Sequence, residues 1–259
     1  MAAFIHETAL VSPHASLGGD CYIGPFSTVG DQVTLGDGVR LESHVVVDGQ
    51  TSIGEGTHIF PFVSIGLAPQ DLKYSGEPTS TEIGKRNQIR EFVTIHRGTA
   101  GGGGVTRIGD DNLLMAQAHV AHDCQLGSSI IMANAATLAG HVEIADKANV
   151  GAYSGVHQFC RVGLEAFIGG YSVVVKDAPP FAVIQGNHAK CYGLNRIGMK
   201  RRGYSPDTIQ KLNHAYHLLL SAKLNTTQAV EKIREEIKNC SEVDLLVEFI
   251  VSSKRGVVK

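Results

Sequence analysis

A hydrophobic or branched residue recurs every six positions along the first two-thirds of the chain. From Ile5 the anchors run Val11, Leu17, Ile23, Val29, Leu35, Leu41, Val47, Ile53, Ile59 and Ile65 without a miss. The phase resumes at Ile83, Ile89 and Ile95, shifts once, and continues from Ile108 through Leu114, Val120, Leu126, Met132 and Leu138 to Val174. A period of six matches neither the 3.6 of a helix nor the 2 of a lone amphipathic strand. It matches a parallel β-helix, in which each hexad supplies one short strand and one corner and three hexads close a coil. Four residues after most anchors stands a small or β-branched residue, as at Cys21, Ser27, Val33, Ala118, Cys124, Ala136 and Ala148. These small residues are expected to turn the corners.

Two segments break the repeat: residues 67–82, "LAPQDLKYSGEPTSTE", and residues 97–107, "RGTAGGGGVTR". Insertions that leave a coil in register project outward, and long loops on a rigid scaffold often line sites. The run of glycines reads as a flexible loop rather than a phosphate cradle. Beyond "KDAPPFAVIQGNHAK" the pattern turns helical. Ser205 and Pro206 give a cap and first-turn signal before "DTIQKLNHAYHLLLSAK", and "TTQAVEKIREEIK" and "SEVDLLVEFIVSSKRG" follow, the last ended by Gly256. The predicted organisation is mainly β: a β-helix over 1–186 with loops at 67–82 and 97–107, then a small α-helical domain over 187–259.

A formal net charge of -2 gives no ground for broad binding to nucleic acid or an anionic membrane. No apolar run is long enough to span a bilayer, and "MAAFIHETAL" lacks the basic start and apolar core of a signal peptide. A cytoplasmic protein is expected. Five cysteines without a CxxC pair argue against a disulfide framework and a zinc knot. Cys124 and Cys160 are two coils apart, roughly 10 Å at strand spacing, beyond disulfide reach.

The stretch "HVAHDCQLG", His119 to Gly127, carries the candidate chemistry. Residues one coil apart lie about 4.8 Å above one another. His122, Gly140 and Gln158 therefore form a column, with Asp123 beneath His141 in the next. A possible base, a bare backbone amide and a polar side chain share an edge, with His119 and His157 nearby. Such a cluster suits proton transfer near neutral pH. It also suits a metal lyase with His119, His122 and His141 as ligands. A non-catalytic scaffold is a third reading, against which stands the confinement of the polar cluster and loops to the middle coils.

The strings "DNLLMAQAHVAHDC", "NAATLAGHV", "VHQF", "QDLKYSGEPT", "IRE" with "VTIHRGT", "QGNHA" and "KRRG" resemble the UDP-N-acetylglucosamine O-acyltransferases of lipid A synthesis. The resemblance spans nearly the whole chain. It implies a left-handed coil, a homotrimer with sites between neighbours, and transfer of an (R)-3-hydroxyacyl group from acyl carrier protein to the 3-hydroxyl of UDP-N-acetylglucosamine. It implies neither a metal, another cofactor, nor a covalent enzyme intermediate. Carried over residue by residue, it makes His122 the general base, Asp123 its supporting acid and Gly140 the oxyanion amide. Gln70, Lys73, His96, His119, His141, His157 and Gln158 match substrate-binding positions, and Asn195, Arg201 and Arg202 match contacts to the nucleotide or acyl donor. The small column Ala116, Asn134, Ala152 and Gly170 offers a hydrocarbon channel. The family's acyl-chain ruler falls on Gly170, with Phe167 and Met115 beside it, and glycine there goes with long chains. Two positions depart from the family pattern: Ile197 stands where an acidic residue is expected, and Ala152 where glycine is.

Overall fold

The computed structural model describes residues 2–259. Three sheets of 11, 9 and 8 strands run along a triangular prism, and most strands are two residues long. Pairing joins residues one coil apart in parallel: Leu126 lies beside Ile144, Leu138 beside Val156 and Val150 beside Ile168. Every hexad anchor from Ile23 to Val174 is buried, so the core is a continuous stack of branched aliphatic side chains. Burying each contributes about 1.5–3 kcal/mol against leaving it exposed. Ile5, Val11 and Leu17 keep the pattern but not the burial, because no coil covers the outer side of the first turn.

Both insertions leave the register intact. Ile83 pairs with Ile53 across the first, and Ile108 pairs with Ile83 across the second. The flanking strands Ser64–Leu67, Ser80–Ile83 and Val105–Ile108 reach further than the sequence indicates, so the projecting segments narrow to 68–79 and 97–104. Backbone pairing within the sheet outlasts the side-chain pattern there.

The corners differ from expectation. The residue that turns each one precedes the small residue, adopts a left-handed backbone and is rarely glycine: Gln117, Asp123, Ser129, Ala135, His141, Lys147, Tyr153, Phe159 and Glu165 all have φ between 55° and 65°. Its side chain leaves the prism, so its size is unconstrained. The following residue, such as Ala118 or Cys124, points into the apex where two sheets meet and is mostly small or β-branched, with Ile130 after Ser129 among the bulkiest. Three corner columns result: 117, 135, 153 and 171; 123, 141 and 159; and 129, 147 and 165.

The expected boundary at 186/187 falls at the tip of a hairpin. Ala182–Gly186 pairs antiparallel with Ala189–Leu194 and closes the end of the 11-stranded sheet. Four helices follow: α1 Arg196–Arg201, α2 Pro206–Leu220, α3 Thr226–Glu236 and α4 Ser241–Val251. Ser205 caps α2 by accepting from the Thr208 amide, as its sequence signal predicts, and Asn225 with Gln228 forms a capping box on α3. The last helix stops at Val251, before the Gly256 expected to end it. The buried Tyr216 hydroxyl donates to the Pro180 carbonyl, tying α2 to the last coil. Asp177 accepts from the Arg161 guanidinium and from the Ser253 hydroxyl, which draws the chain after α4 back along the prism.

Candidate active site

His122 and Asp123 occupy one corner, between strands His119–Val120 and Gln125–Leu126. The Asp123 side chain is wholly buried, while that of His122 keeps 14% exposure. Their contact, Nδ1 to carboxylate at 2.8 Å, makes Nδ1 the protonated nitrogen and leaves Nε2 free to accept. Asp123 also accepts from the Thr99 amide at 2.9 Å and the Thr99 hydroxyl at 2.7 Å, and its own amide donates to Thr106 Oγ1 at 2.8 Å. The carboxylate is thereby held in one orientation from three sides.

One coil along, Gly140 lies against the imidazole. A Cβ there would stand 2.5 Å from His122 Cε1 and 2.7 Å from Nε2, so only glycine lets the ring occupy this place. Among the described residues no group accepts from the Gly140 amide. His141 meets His122 edge-on, with centroids 5.1 Å apart, stacks on Phe159 at 4.3 Å, and brings Nδ1 to 3.8 Å from Asp123. His119 is fixed through Nδ1 by Thr94 Oγ1 at 2.6 Å. His96 is buried beside it, and its Nδ1 has no partner.

The other sequence candidates divide. Gln70 and Lys73 are exposed on the 68–79 segment, which comes close enough for Asp71 to act electrostatically on His141. His157 and Gln158 are exposed on the next coil, and the Arg255 guanidinium lies 3.3 Å from His157 Nδ1. Asn195 and Arg202 are engaged within their own chain: Asn195 caps α1 through the Gly198 amide, and Arg202 reaches Glu165 and the Lys147 carbonyl. Arg201 and Ile197 are exposed on α1. Glu165 and Lys147 belong to the third corner, so Arg202 does not meet His122 within one protomer. Gly170 lies on the first corner, 3.2 Å by an ideal Cβ from the Ala152 carbonyl, with Phe167 exposed and Met115 half-buried on the adjoining sheet. The small column therefore runs along a different edge from His122.

Sequence reasoning missed several neighbours. Thr99 lies in an interruption of the repeat, where the periodic pattern carries no signal. Phe159 was legible, being one coil beyond His141. Arg161 stacks one coil beyond Glu143 on the prism, and Arg255 joins the site only through the returning C-terminal segment. With Gly102, His141, Phe159 and Lys254 they border a groove of about 680 Å³ beside the dyad.

Metal-ligating atoms also gather here, but not as the lyase reading expects. His122, Asp123 and His141 bring ligand atoms within 4.8 Å of one another, while His119 stands outside the group. Cys124 is no nucleophile: it is buried, its thiol contacts the Ala139 carbonyl, and burial pushes it up to about 12.

Burial, and then the neighbouring His119 and His122, push His96 down to about 4. His119 and His141 are lowered as well, in each case by burial first. Histidines kept neutral in the fold but protonated when unfolded cost nothing above pH about 6.5 and destabilise as pH falls below it. The melting temperature should therefore drop between pH 6.5 and 4, and His96→Gln should flatten that drop. A parallel fall in parent and variant would remove His96 from the cause.

The family described as UDP-N-acetylglucosamine O-acyltransferase, domain 2, matches residues 177–258, and the bacterial transferase hexapeptide family matches residues 5–49. An acyl-[acyl-carrier-protein]–UDP-N-acetylglucosamine O-acyltransferase from Thermodesulfovibrio yellowstonii is 49% identical over 255 residues, 98% of this chain and 99% of the relative. Among solved structures, an LpxA from Acinetobacter baumannii superposes with a TM-score of 0.96 at 46% identity, covering 98% of this chain and 99% of that one. LpxA from Bacteroides fragilis, a UDP-N-acetylglucosamine acyltransferase, gives 0.97 at 38% identity over 99% and 100% of the two chains. The coil is accordingly the left-handed parallel β-helix of the hexapeptide acyltransferases. Near-complete coverage at this identity outweighs the lyase and scaffold readings, and the chain belongs to the UDP-N-acetylglucosamine O-acyltransferase family.

Proposed function

We propose that this enzyme transfers an (R)-3-hydroxyacyl group from acyl carrier protein to the 3-hydroxyl of UDP-N-acetylglucosamine, opening lipid A synthesis. Family membership supports the reaction, and the carboxylate–imidazole pair supports the mechanism. His122 Nε2 takes the 3-hydroxyl proton as the sugar oxygen attacks the thioester carbonyl carbon. Asp123 stabilises the resulting imidazolium, in the way a buried carboxylate does in other imidazole bases. The Gly140 amide receives the tetrahedral oxyanion, a contact worth about 3 kcal/mol where such donors have been removed. As the carbon–sulfur bond breaks, His122 returns the proton to the carrier thiolate. No electrons change hands, and the enzyme's residues supply all the proton transfer required.

Gln70, Lys73, His96, His119, His141, His157 and Gln158 are assigned to the sugar nucleotide and acyl donor, with Lys73 as the phosphate contact. Arg201 offers a further cation for phosphate or donor, and Asn195 and Arg202 complete that group. A homotrimer fits the separation of these parts. The catalytic corner, the small column at Gly170 and the basic turn after α1 lie on different edges of one prism and meet only if a neighbour brings its own edge to the first. The wholly exposed Leu72 and the exposed stack of Phe26, His44, Phe62 and Phe92 are apolar surface that such neighbours would cover. Five unbridged cysteines suit the reducing cytoplasm, where we place the reaction.

Incubating the protein with UDP-N-acetylglucosamine and a panel of 3-hydroxyacyl carrier protein thioesters should give a mono-acylated sugar nucleotide, read by mass. Absence of product with every thioester would refute the activity. On the same panel Gly170→Met should favour shorter donors while turnover of its best donor stays near parental, because overpacking falls at the chain end and not at His122. An unchanged length profile would move the ruler elsewhere, with Phe167 the first suspect.

A further inference from the structure

We infer that Thr99 is the positioning residue of the catalytic pair: by donating to both Asp123 oxygens it fixes the carboxylate that orients His122 and closes it off from water. The inference rests on the mechanism proposed above. Thr99 is 6% exposed and uses its amide on one carboxylate oxygen and its hydroxyl on the other. The second oxygen is also the one that receives His122 Nδ1. The hydroxyl and the imidazole therefore compete for the same electron density, and the hydroxyl sets how much negative charge faces the ring.

The glycine run explains how a loop delivers these donors. The Thr99 carbonyl accepts from the amides of Gly102 and Gly104, winding 97–104 into a tight turn. Gly103 and Gly104 take φ of +95° and +81°, which side chains resist. Gly102 lies flat on the carboxylate: a Cβ there would stand 2.0 Å from Asp123 Cγ. The segment expected to be a flexible linker is a fitted cover over the buried acid. Its glycines serve close approach to a carboxylate rather than to a phosphate.

Removal of the Thr99 hydroxyl should shift charge toward His122 and loosen the ring. Other groups facing the pair are His141 and Cys124 beside Asp123, His96 and His119 beside His122, and Asp71 acting through His141. None of them is altered by the substitution. Thr99→Val should lower kcat by about tenfold or more, as loss of a hydrogen bond to a charged group does. KM for the sugar nucleotide should stay near parental, and the acidic limb of the kcat/KM profile should move to higher pH. Thr99→Ser should restore both, since serine keeps the donor. In a His122→Ala background Thr99→Val should have no further effect on rate, because the two act as one unit.

A Thr99→Val enzyme with parental kcat and pH profile would overturn the inference, as would an equal loss in the His122→Ala background. If valine prevents folding, Gly102→Ala tests the same cover, since the added methyl must lift the turn from Asp123; parental kcat and pH profile there would overturn it too. Should His122→Ala itself retain parental activity, the mechanism fails, and not only the role of Thr99.

Discussion

Everything in this structure depends on closure of the coil in fixed register. Parallel strands of two residues make too few hydrogen bonds to stand alone, and each is held by the strand a coil before and the strand a coil after. The aliphatic anchors stacked along the axis make slippage costly, because a shift by one residue would turn every anchor outward. Both insertions obey this constraint: the segments 68–79 and 97–104 leave the prism and return to the same pairing.

A lattice so regular makes its corners into columns, and columns explain the site. Asp123 and His141 turn successive corners on one edge, each with a left-handed backbone that sends its side chain out of the prism. His122 and Gly140 precede them, and the close stacking that holds the coils together presses the imidazole against a backbone where no side chain fits. The buried carboxylate would be costly without partners. It has three donors, one from the His122 ring and two from a loop that the repeat does not encode.

The periodic part of the fold was legible because period six has no rival among simple elements, and anchors from Ile23 onward lie where it puts them. The corner geometry was misread. Small residues recur visibly, but they mark the apex interior, and the turning residue beside them varies from Asp123 to Phe159 without a sequence signature. Stacking arithmetic correctly brought Gly140 against His122 and Asp123 close to His141. It left Thr99 out, since arithmetic stops where the repeat does. The roles of Asn195 and Arg202 inside their own chain, as a cap and as a partner of buried Glu165, were likewise invisible, since both depend on where α1 docks.

The central claim is that the His122 imidazole carries the proton, and replacing it with alanine tests this most directly. The His122 side chain lies outside the aliphatic core, so His122→Ala should melt within about 2 °C of the parent. Its kcat should fall by at least about a hundredfold, the loss typical of a missing general base. A stable variant that turns over within about tenfold of the parent would contradict the account.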